Sequence, residues 1–174
     1  HTSELVFEEC RIPKDYILGE PGTGFTGAMN ILDRGRAAVG ALAVGIAQGA
    51  LDESVKYAKE REQFGRPIAK FQAIQWMLAD MAVGLAASQA LIYRAAASAE
   101  TNEGGFPDML MAAHAKILAA DTAIKVPSDA LQVFGAAGYS RNRPMERMYR
   151  DARMFTIGGG TAQVLRNLVA GKIL

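Results

Sequence analysis

The stretch LDRGRAAVGALAVGIAQGALDESVKYAKEREQFGR, residues 32–66, decides the fold of this chain. In and just before it, apolar residues recur at steps of three to five, the spacing of one face of an α-helix. These residues are Ile31, Ala38, Leu42, Ile46, Leu51, Val55 and Ala58. The pattern predicts one long amphipathic helix that begins at Phe25 and ends near Gln63–Gly65.

Small residues on this helix predict a close neighbour. Gly45 and Gly49 share one face, and Ala41 lies between turns of the same helix. A helix face without large side chains lets a second helix approach it. We favour this packing role over a role of the two glycines in binding a ligand.

The next two helices follow from the same periodicity. The second begins with Pro67 just inside its first turn, a position that tolerates a residue without an N–H, and ends near Ala99. Asp108 follows a loop and marks the start of the third helix, which continues to about residue 135. Pro127 falls inside that helix and removes one backbone donor, so we expect a kink or a break there.

The C-terminal third predicts shorter elements. Residues 135–144, GAAGYSRNRP, are predicted to form a loop, and Pro144 can open a short helix that ends near Arg153. A last helix begins near Thr161. Three long helices joined by short loops, with two shorter ones, predict an all-α, antiparallel up-and-down bundle whose apolar faces pack together.

The N-terminal segment has a different character. Residues 3–8, SELVFE, partly alternate as a strand does, and residues 11–24 contain two prolines and three glycines. We therefore divide the chain into residues 1–24, the end of a β element with a connector, and residues 25–174, the helical bundle.

Composition excludes several classes of protein. The chain has 174 residues, half of them hydrophobic, and a formal net charge of +1, so no strong positive field would recruit nucleic acid. The longest nearly apolar run, residues 37–47, is too short to span a bilayer, and no signal-peptide pattern is visible. Cys10 is the only cysteine, which fits a reducing compartment. No metal-binding motif occurs, and we expect His114 to be packed or partly exposed rather than a ligand.

Two glycine segments are candidate ligand sites. GAAGY at 135–139 and GGGT at 158–161 are small-residue turns next to helices. Backbone N–H groups at such turns can contact phosphate or ribose oxygens, although many turns of this kind bind nothing. Arg61, near the end of the first helix, would be a suitable cation for a phosphate-bearing ligand.

Several motifs occur in order and together resemble one family. They are R-x-x-F-G at 61–65, Q-x-x-x-A-D-M at 75–81, the Gly-Tyr at 138–139, YRDAR at 149–153 and Gly-Thr at 160–161. The sequence resembles the C-terminal part of the acyl-CoA dehydrogenases, flavoproteins that remove two hydrogens from an acyl-CoA thioester. The resemblance covers essentially the whole chain. It implies a bundle that packs on N-terminal α and middle β domains absent from this chain, and it makes residues 1–24 the end of the middle domain.

The resemblance also implies an FAD site and its contacts. Arg61, followed by Gln63 and Phe64, matches the position that holds the FAD pyrophosphate, usually across a subunit interface, and Gln72 matches a second flavin contact. The turn that approaches the adenosine side of FAD is matched by Gln132, Gly135 and Ala136, with Ala136 in place of the family's second glycine. Contacts to the diphosphate of the flavin are matched by Thr161 and Gln163.

For the substrate, the resemblance implies an acyl-CoA. Asp33, Arg34 and Arg36 match the segment beside the CoA pantetheine, and Gly160 lies next to the thioester. The family's reaction needs a carboxylate base that removes the Cα proton. One branch carries it at the position of Gly159 and another at the position of Gly35, and neither residue has a carboxylate.

Three hypotheses therefore remain open. The first, which we favour at this point, is α,β-oxidation of an acyl-CoA with a base from the missing domains. The second is a non-catalytic subunit of a mixed oligomer that contributes FAD contacts. The third is a reaction without Cα deprotonation, such as elimination from a substituted acyl-CoA. The resemblance further implies a homotetramer or homodimer and electron-transferring flavoprotein as electron acceptor. For localisation we favour the bacterial cytoplasm, with the mitochondrial matrix as the alternative.

Overall fold

The computed structural model describes residues 3–102 and 104–174, and of residue 33 the backbone alone. Six α-helices occur in this part of the chain: α1 Gly24–Glu60, α2 Gln72–Ala97, α3 Met109–Phe134, α4 Ala136–Tyr139, α5 Met145–Ala152 and α6 Ala162–Ile173. Two short strands, β1 Glu62–Gln63 and β2 Arg66–Pro67, pair antiparallel. Short 3-10 helices span Lys14–Tyr16, Ile68–Lys70, Ser98–Glu100 and Arg153–Thr156. The chain divides into two units, His1–Ile31 and Leu32–Leu174.

The first unit contains no strand in its described residues. Residues 3–8 therefore form no strand in this chain on its own, and their assignment to the end of a β element stays a prediction. A strand is held by hydrogen bonds to a neighbouring strand, and this unit has none to offer. The unit instead contains the 3-10 helix Lys14–Tyr16 and the first turns of α1, where Gly27 N donates to the Thr23 carbonyl at 3.0 Å.

The second unit is a helical bundle, as the periodicity predicted. Gln89 donates to Gln48 at 3.4 Å and Ser88 to Thr122 at 2.9 Å, which joins α2 to both α1 and α3. Near the other end of α2 and α3, Ser98 Oγ accepts from the Asp108 N–H at 2.8 Å. The later residue at α2 thus contacts the earlier residue at α3: Ser88 lies beside Thr122, and Ser98 beside Asp108. The two helices therefore run antiparallel.

Alanine dominates the core and lets the helices lie close together. Buried alanines occur on every long helix, and larger buried side chains fill the remaining space, among them Met81, Leu85, Phe134, Met145 and Leu165. A core of this composition explains the small residues on α1. At Gly49 an added Cβ would lie 3.3 Å from Met148 of α5, which confirms the predicted close approach, whereas at Gly45 nothing lies within 4 Å.

The prolines behave in two ways. Pro144 lies just before α5, as expected, and α3 continues unbroken through Pro127, which is fully buried in the core. Pro67 does not open the second helix, because it pairs in β2 and α2 begins only at Gln72. Phe64 and Gly65 form a tight hairpin turn with positive φ angles of 52° and 75°. Because β1 begins at Glu62, α1 ends at Glu60 rather than near Gln63–Gly65 as predicted.

One other segment differs from prediction. The segment predicted as a loop at 135–144 contains the single helical turn α4, since Gly135 at φ 59° ends α3 and the chain then turns back into helix.

The segment Gln72–Glu100 is the one helix in the described residues that is long and apolar enough to cross a membrane, with mean hydropathy 1.2. Length and composition alone carry this finding, and helices of soluble proteins meet the same criterion.

Candidate functional site

The hairpin between α1 and α2 exposes three of the predicted cofactor contacts. Arg61 follows α1, and its carbonyl accepts from the Ile68 N–H at 2.8 Å, which fixes the base of the hairpin. Gln63 and Phe64 lie beyond it, and the Phe64 side chain is 92% exposed. The Phe64 and Phe71 rings meet edge to face at 6.1 Å, so the hairpin holds a large aromatic side chain out into solvent.

The end of α3 forms the second group of predicted contacts. Gly135 ends the helix in a left-handed conformation, and its N–H donates to the Leu131 carbonyl at 2.9 Å. Gln132, Gly135 and Ala136 are exposed and line a groove of about 550 Å³. Tyr139 lines the same groove, which therefore combines exposed backbone, an amide and an aromatic ring.

These two groups lie at one end of the bundle. The Tyr57 ring of α1 stacks on the Phe134 ring of α3 with centroids 4.2 Å apart. Val133 packs in a cluster with Ala58 and Ile68, beside the hairpin. Gln72 is exposed at the start of α2, immediately after this cluster. The structure thus brings the predicted contacts from 61–72 and from 132–136 into one neighbourhood.

The glycine turn before α6 is a separate place. Gly159 and Gly160 have φ angles of 69° and 92°, and the Gly158 N–H donates to the Met154 carbonyl at 2.8 Å. Thr161 caps α6, since its side-chain oxygen accepts from the Val164 N–H at 3.2 Å. Gln163 is exposed on the first turn of α6. The helix start predicted at Thr161 is confirmed, with free N–H groups at its tip.

Sequence reasoning missed the residue that holds this turn. Lys116 of α3 is only 1% exposed, and its Nζ donates to the Gly160 carbonyl at 2.6 Å. Burial lowers the pKa of Lys116, the nearby Arg36 lowers it further, and Asp121 opposes both effects. A signal existed in the sequence, because Lys116 stands in the buried stripe of α3 together with Ala112, Ala119 and Ala123.

The predicted acyl-CoA contacts lie on α1 near the same turn. Arg36 is 8% exposed and close enough to Lys116 to affect its pKa. The exposed Arg34 places its guanidinium 3.6 Å from the centroid of the Phe106 ring, in the loop after α2. The Asp33 side chain lies outside the described part of the chain. Arg36 therefore lies near Lys116, whose side chain bonds to Gly160, while Arg34 contacts another loop.

Neither position expected to carry the base is crowded. A Cβ added at Gly159 would lie 3.6 Å from Val39 and 3.9 Å from Lys116 Cε, which are ordinary van der Waals distances. At Gly35, inside α1, nothing lies within 4 Å of an added Cβ. Lack of space for a Cβ therefore does not explain the glycine at either position. Neither glycine has a side chain that could accept a proton.

The two groups of contacts are well separated. Lys116, which marks the glycine turn, and Gln132, which marks the hairpin end, are 16 residues apart on α3. At a rise of about 1.5 Å per residue, this is roughly 24 Å along the helix. One phosphate group of a ligand cannot contact both places in one chain.

No metal centre is formed by the residues described. His, Cys, Asp and Glu side chains nowhere gather in groups of three or more within the described ranges. His114 is exposed on α3, at the junction of two grooves lined by Leu91, as expected for a histidine that is not a ligand.

Comparison with known proteins gives consistent matches. The family model described as acyl-CoA dehydrogenase, C-terminal domain, matches residues 22–174. A 3-sulfinopropanoyl-CoA desulfinase of Cupriavidus necator is 53% identical over 175 residues, which cover 99% of this chain and 43% of that protein. A probable acyl-CoA dehydrogenase of Mycobacterium tuberculosis is 50% identical over 174 residues, covering 99% of this chain and 44% of that protein.

Solved structures match the same region. Butyryl-CoA dehydrogenase from Megasphaera elsdenii superimposes with a TM-score of 0.88 at 42% identity, covering 97% of this chain and 43% of that one. An acyl-CoA dehydrogenase complexed with FAD from Bacillus anthracis gives a TM-score of 0.90 at 30% identity, covering 97% and 32%. The chain thus spans less than half the length of these relatives.

Proposed function

The chain belongs to the acyl-CoA dehydrogenase family, whose members depend on FAD, and we propose that the complete protein is a flavoenzyme that acts on a β-substituted acyl-CoA. The substituent we propose is a sulfinate. The proposal concerns the complete protein because the chain spans 43% of the desulfinase it resembles.

The observation that carries the proposal is the absence of a carboxylate at Gly159 and Gly35. Dehydrogenation removes a Cα proton and needs a base near it. Desulfination has a different balance: R–SO₂⁻ and water give R–H and hydrogen sulfite. The C–S bond breaks, the carbon gains a proton and is reduced, and sulfur gains an oxygen and is oxidised. No net proton leaves Cα, so the missing base is no obstacle.

The relatives support the same choice. The name of the Cupriavidus necator relative, at 53% identity, specifies a desulfinase of 3-sulfinopropanoyl-CoA. Relatives of the same name in Paraburkholderia xenovorans and Advenella mimigardefordensis are 52% and 53% identical. The substituted acyl-CoA was the third of the hypotheses open from sequence, and the match and the absence of a carboxylate at Gly159 and Gly35 are our reasons for proposing it ahead of the other two.

The exposed groups suit FAD in their chemistry. The Arg61 guanidinium is suited to bind a pyrophosphate, because its planar donors match phosphate oxygens. The groove at Gln132, Gly135 and Ala136 offers backbone and amide groups to an adenosine. Bound FAD supplies an electron-accepting ring to members of this family. Within this chain, residues 160–163 would hold its diphosphate through the free N–H groups at the start of α6.

On the substrate side, three features of the chain would act. Arg36 places a buried guanidinium near Lys116, which bonds to Gly160, and this setting favours a negatively charged acyl substituent over a neutral one. Gly160 exposes its peptide next to the thioester. Asp33 and Arg34 would follow the pantetheine.

The decisive experiment measures sulfite. The complete, FAD-loaded protein is given 3-sulfinopropanoyl-CoA under anaerobic conditions without an electron acceptor. We expect sulfite and propanoyl-CoA in equal amounts, because the reaction is redox neutral. Absence of sulfite at every substrate concentration overturns the proposal. Butanoyl-CoA serves as the matched control, because it has no group to lose.

A second candidate is α,β-oxidation with a base from another part of the protein, delivering electrons to electron-transferring flavoprotein. The 50% identity to a probable acyl-CoA dehydrogenase favours it. In that case butanoyl-CoA or another unsubstituted acyl-CoA bleaches the flavin. Tight FAD binding with neither sulfite release nor bleaching would instead indicate a non-catalytic subunit.

We also propose that the protein is a homo-oligomer, a tetramer or a dimer, in the bacterial cytoplasm. Support for assembly comes from α2, where Trp76, Val83 and Tyr93 are 63%, 68% and 72% exposed along an otherwise alanine-rich face. A second copy could cover this face. Light scattering on the complete protein tests the mass, and a monomer would contradict the proposal.

A further inference from the structure

The glycine turn at 158–160 needs an external restraint to keep one shape. Glycine occupies many backbone conformations, so a run of three is the most easily rearranged segment of a chain. Its upstream end is held by the Gly158 N–H bond to Met154, and its downstream end by the Thr161 cap. Both restraints come from within the same segment.

Lys116 supplies the restraint from another element. Its bond to the Gly160 carbonyl joins residues 44 positions apart in the chain. Among the described residues this is the one hydrogen bond between the turn and a different helix. At 2.6 Å from a lysine Nζ it is a charge-assisted bond, of the stronger class in proteins.

Burying the Lys116 side chain costs free energy, so its place in the core calls for an explanation. Lysine is rarely buried unless it has a partner, because its charged form loses hydration. Lys116 lies in a stripe where the neighbouring buried positions are alanines, and it is the largest fully buried side chain among the described residues. The hydrogen bond from Lys116 to the Gly160 carbonyl is the interaction that a lysine adds at this position.

We propose that Lys116 is a positioning residue: its bond to the Gly160 carbonyl holds the turn so that Gly160 and Thr161 face the thioester and the cofactor. What the turn contacts rests on the function proposed above, whereas the restraint itself does not. Lys116 acts through the backbone of Gly160 and has no contact with reacting atoms in this proposal.

The test replaces Lys116 in the complete, FAD-loaded protein. Lys116→Met keeps the length of the side chain and removes its donors, and Lys116→Arg keeps donors. Lys125→Met is the matched control, since Lys125 is an exposed lysine on the same helix that pairs with Asp129. We expect Lys116→Met to lower kcat for sulfite release about 10- to 100-fold, with a smaller change in KM. Lys116→Arg should recover part of the loss, and Lys125→Met should match the parent.

A second readout does not depend on the reaction. Hydrogen exchange should accelerate at the amides of Gly159, Gly160 and Thr161 in Lys116→Met, and should stay unchanged there in Lys125→Met. Unchanged exchange at these amides overturns the inference whatever the activity shows. Faster exchange with parent kcat also overturns it, because the turn would then be structural only. If the parent releases no sulfite, the proposed function fails, and the exchange experiment still decides the restraint.

Discussion

Placing a carboxylate at Gly159 should turn the site toward dehydrogenation, at a stability cost that the structure sets. Gly159 has φ 69°, a left-handed conformation that costs a residue with a Cβ about 1–2 kcal/mol. No clash adds to this, since the nearest atoms to an added Cβ are at 3.6 Å. At roughly 2–4 °C per kcal/mol for a domain of this size, Tm should fall by about 2–8 °C.

Gly35 offers the same chemistry with the opposite effect on stability. It lies inside α1, where a glycine is less favourable than an ordinary helix former by about 0.5–1 kcal/mol. Gly35→Glu has open space around its Cβ, so it should leave the free energy of unfolding equal or higher. The two variants therefore restore a base and separate its effect from that of backbone strain.

The assay is anaerobic bleaching of flavin absorbance by butanoyl-CoA in the complete protein. A positioned general base contributes about 10²–10⁴-fold to a proton transfer, so at least one of the two Glu variants should bleach measurably faster than the parent. Gly159→Gln is the isosteric control, since it has the same strain and no carboxylate.

Two results would refute this reasoning. Equal bleaching by Gly159→Gln and Gly159→Glu would show that the carboxylate is not the agent. No gain in either Glu variant, with FAD still bound, would show that the missing base is not what keeps the parent from dehydrogenation.

Three further outcomes follow from single residues. Arg61→Ala should lower the FAD retained on gel filtration, while Arg66→Ala in the same hairpin should retain it, and equal retention in both would contradict the role of Arg61. Asp108→Ala removes the cap of α3, whose side chain accepts from Met111 N at 2.8 Å, and should cost about 0.5–2 kcal/mol in urea unfolding. The lowered pKa of Lys116 predicts a pH effect. Between that pKa and the unfolded value near 10.4, the unfolded chain binds more protons, so the free energy of unfolding should rise with pH more steeply in the parent than in Lys116→Met.

The bundle was predictable because its signal is local and repeated. Each long helix carries several turns of apolar periodicity, and caps such as Asp108 and Thr161 mark where α3 and α6 begin. The apolar periodicity and the caps agree with the helix packing seen in the structure. The end of α1 was less predictable: we expected the helix to end near Gln63–Gly65, but it ends at Glu60, before the hairpin that turns at Phe64 and Gly65.

Residues 3–8 form no strand in this chain on its own, for a different reason. Alternation predicts that a segment can pair, and pairing needs a neighbour that the sequence of the segment does not contain. The role of Lys116 also depends on a partner that is distant in the sequence. Its position in the apolar stripe of α3 is visible in the sequence, but its partner is a carbonyl 44 residues away. Only the fold brings the two together.

The spacing along α3 adds an argument for assembly. Arg61 at the hairpin end and Thr161 at the glycine turn both match family contacts to the diphosphate of FAD. Within one chain these places are separated by most of the 16 residues between Lys116 and Gln132, about 24 Å of rigid helix. A single diphosphate is too small to reach both. If both assignments hold, we expect the glycine turn of one copy and the hairpin of another to bind each FAD together, which would make the oligomer proposed above necessary for a complete cofactor site.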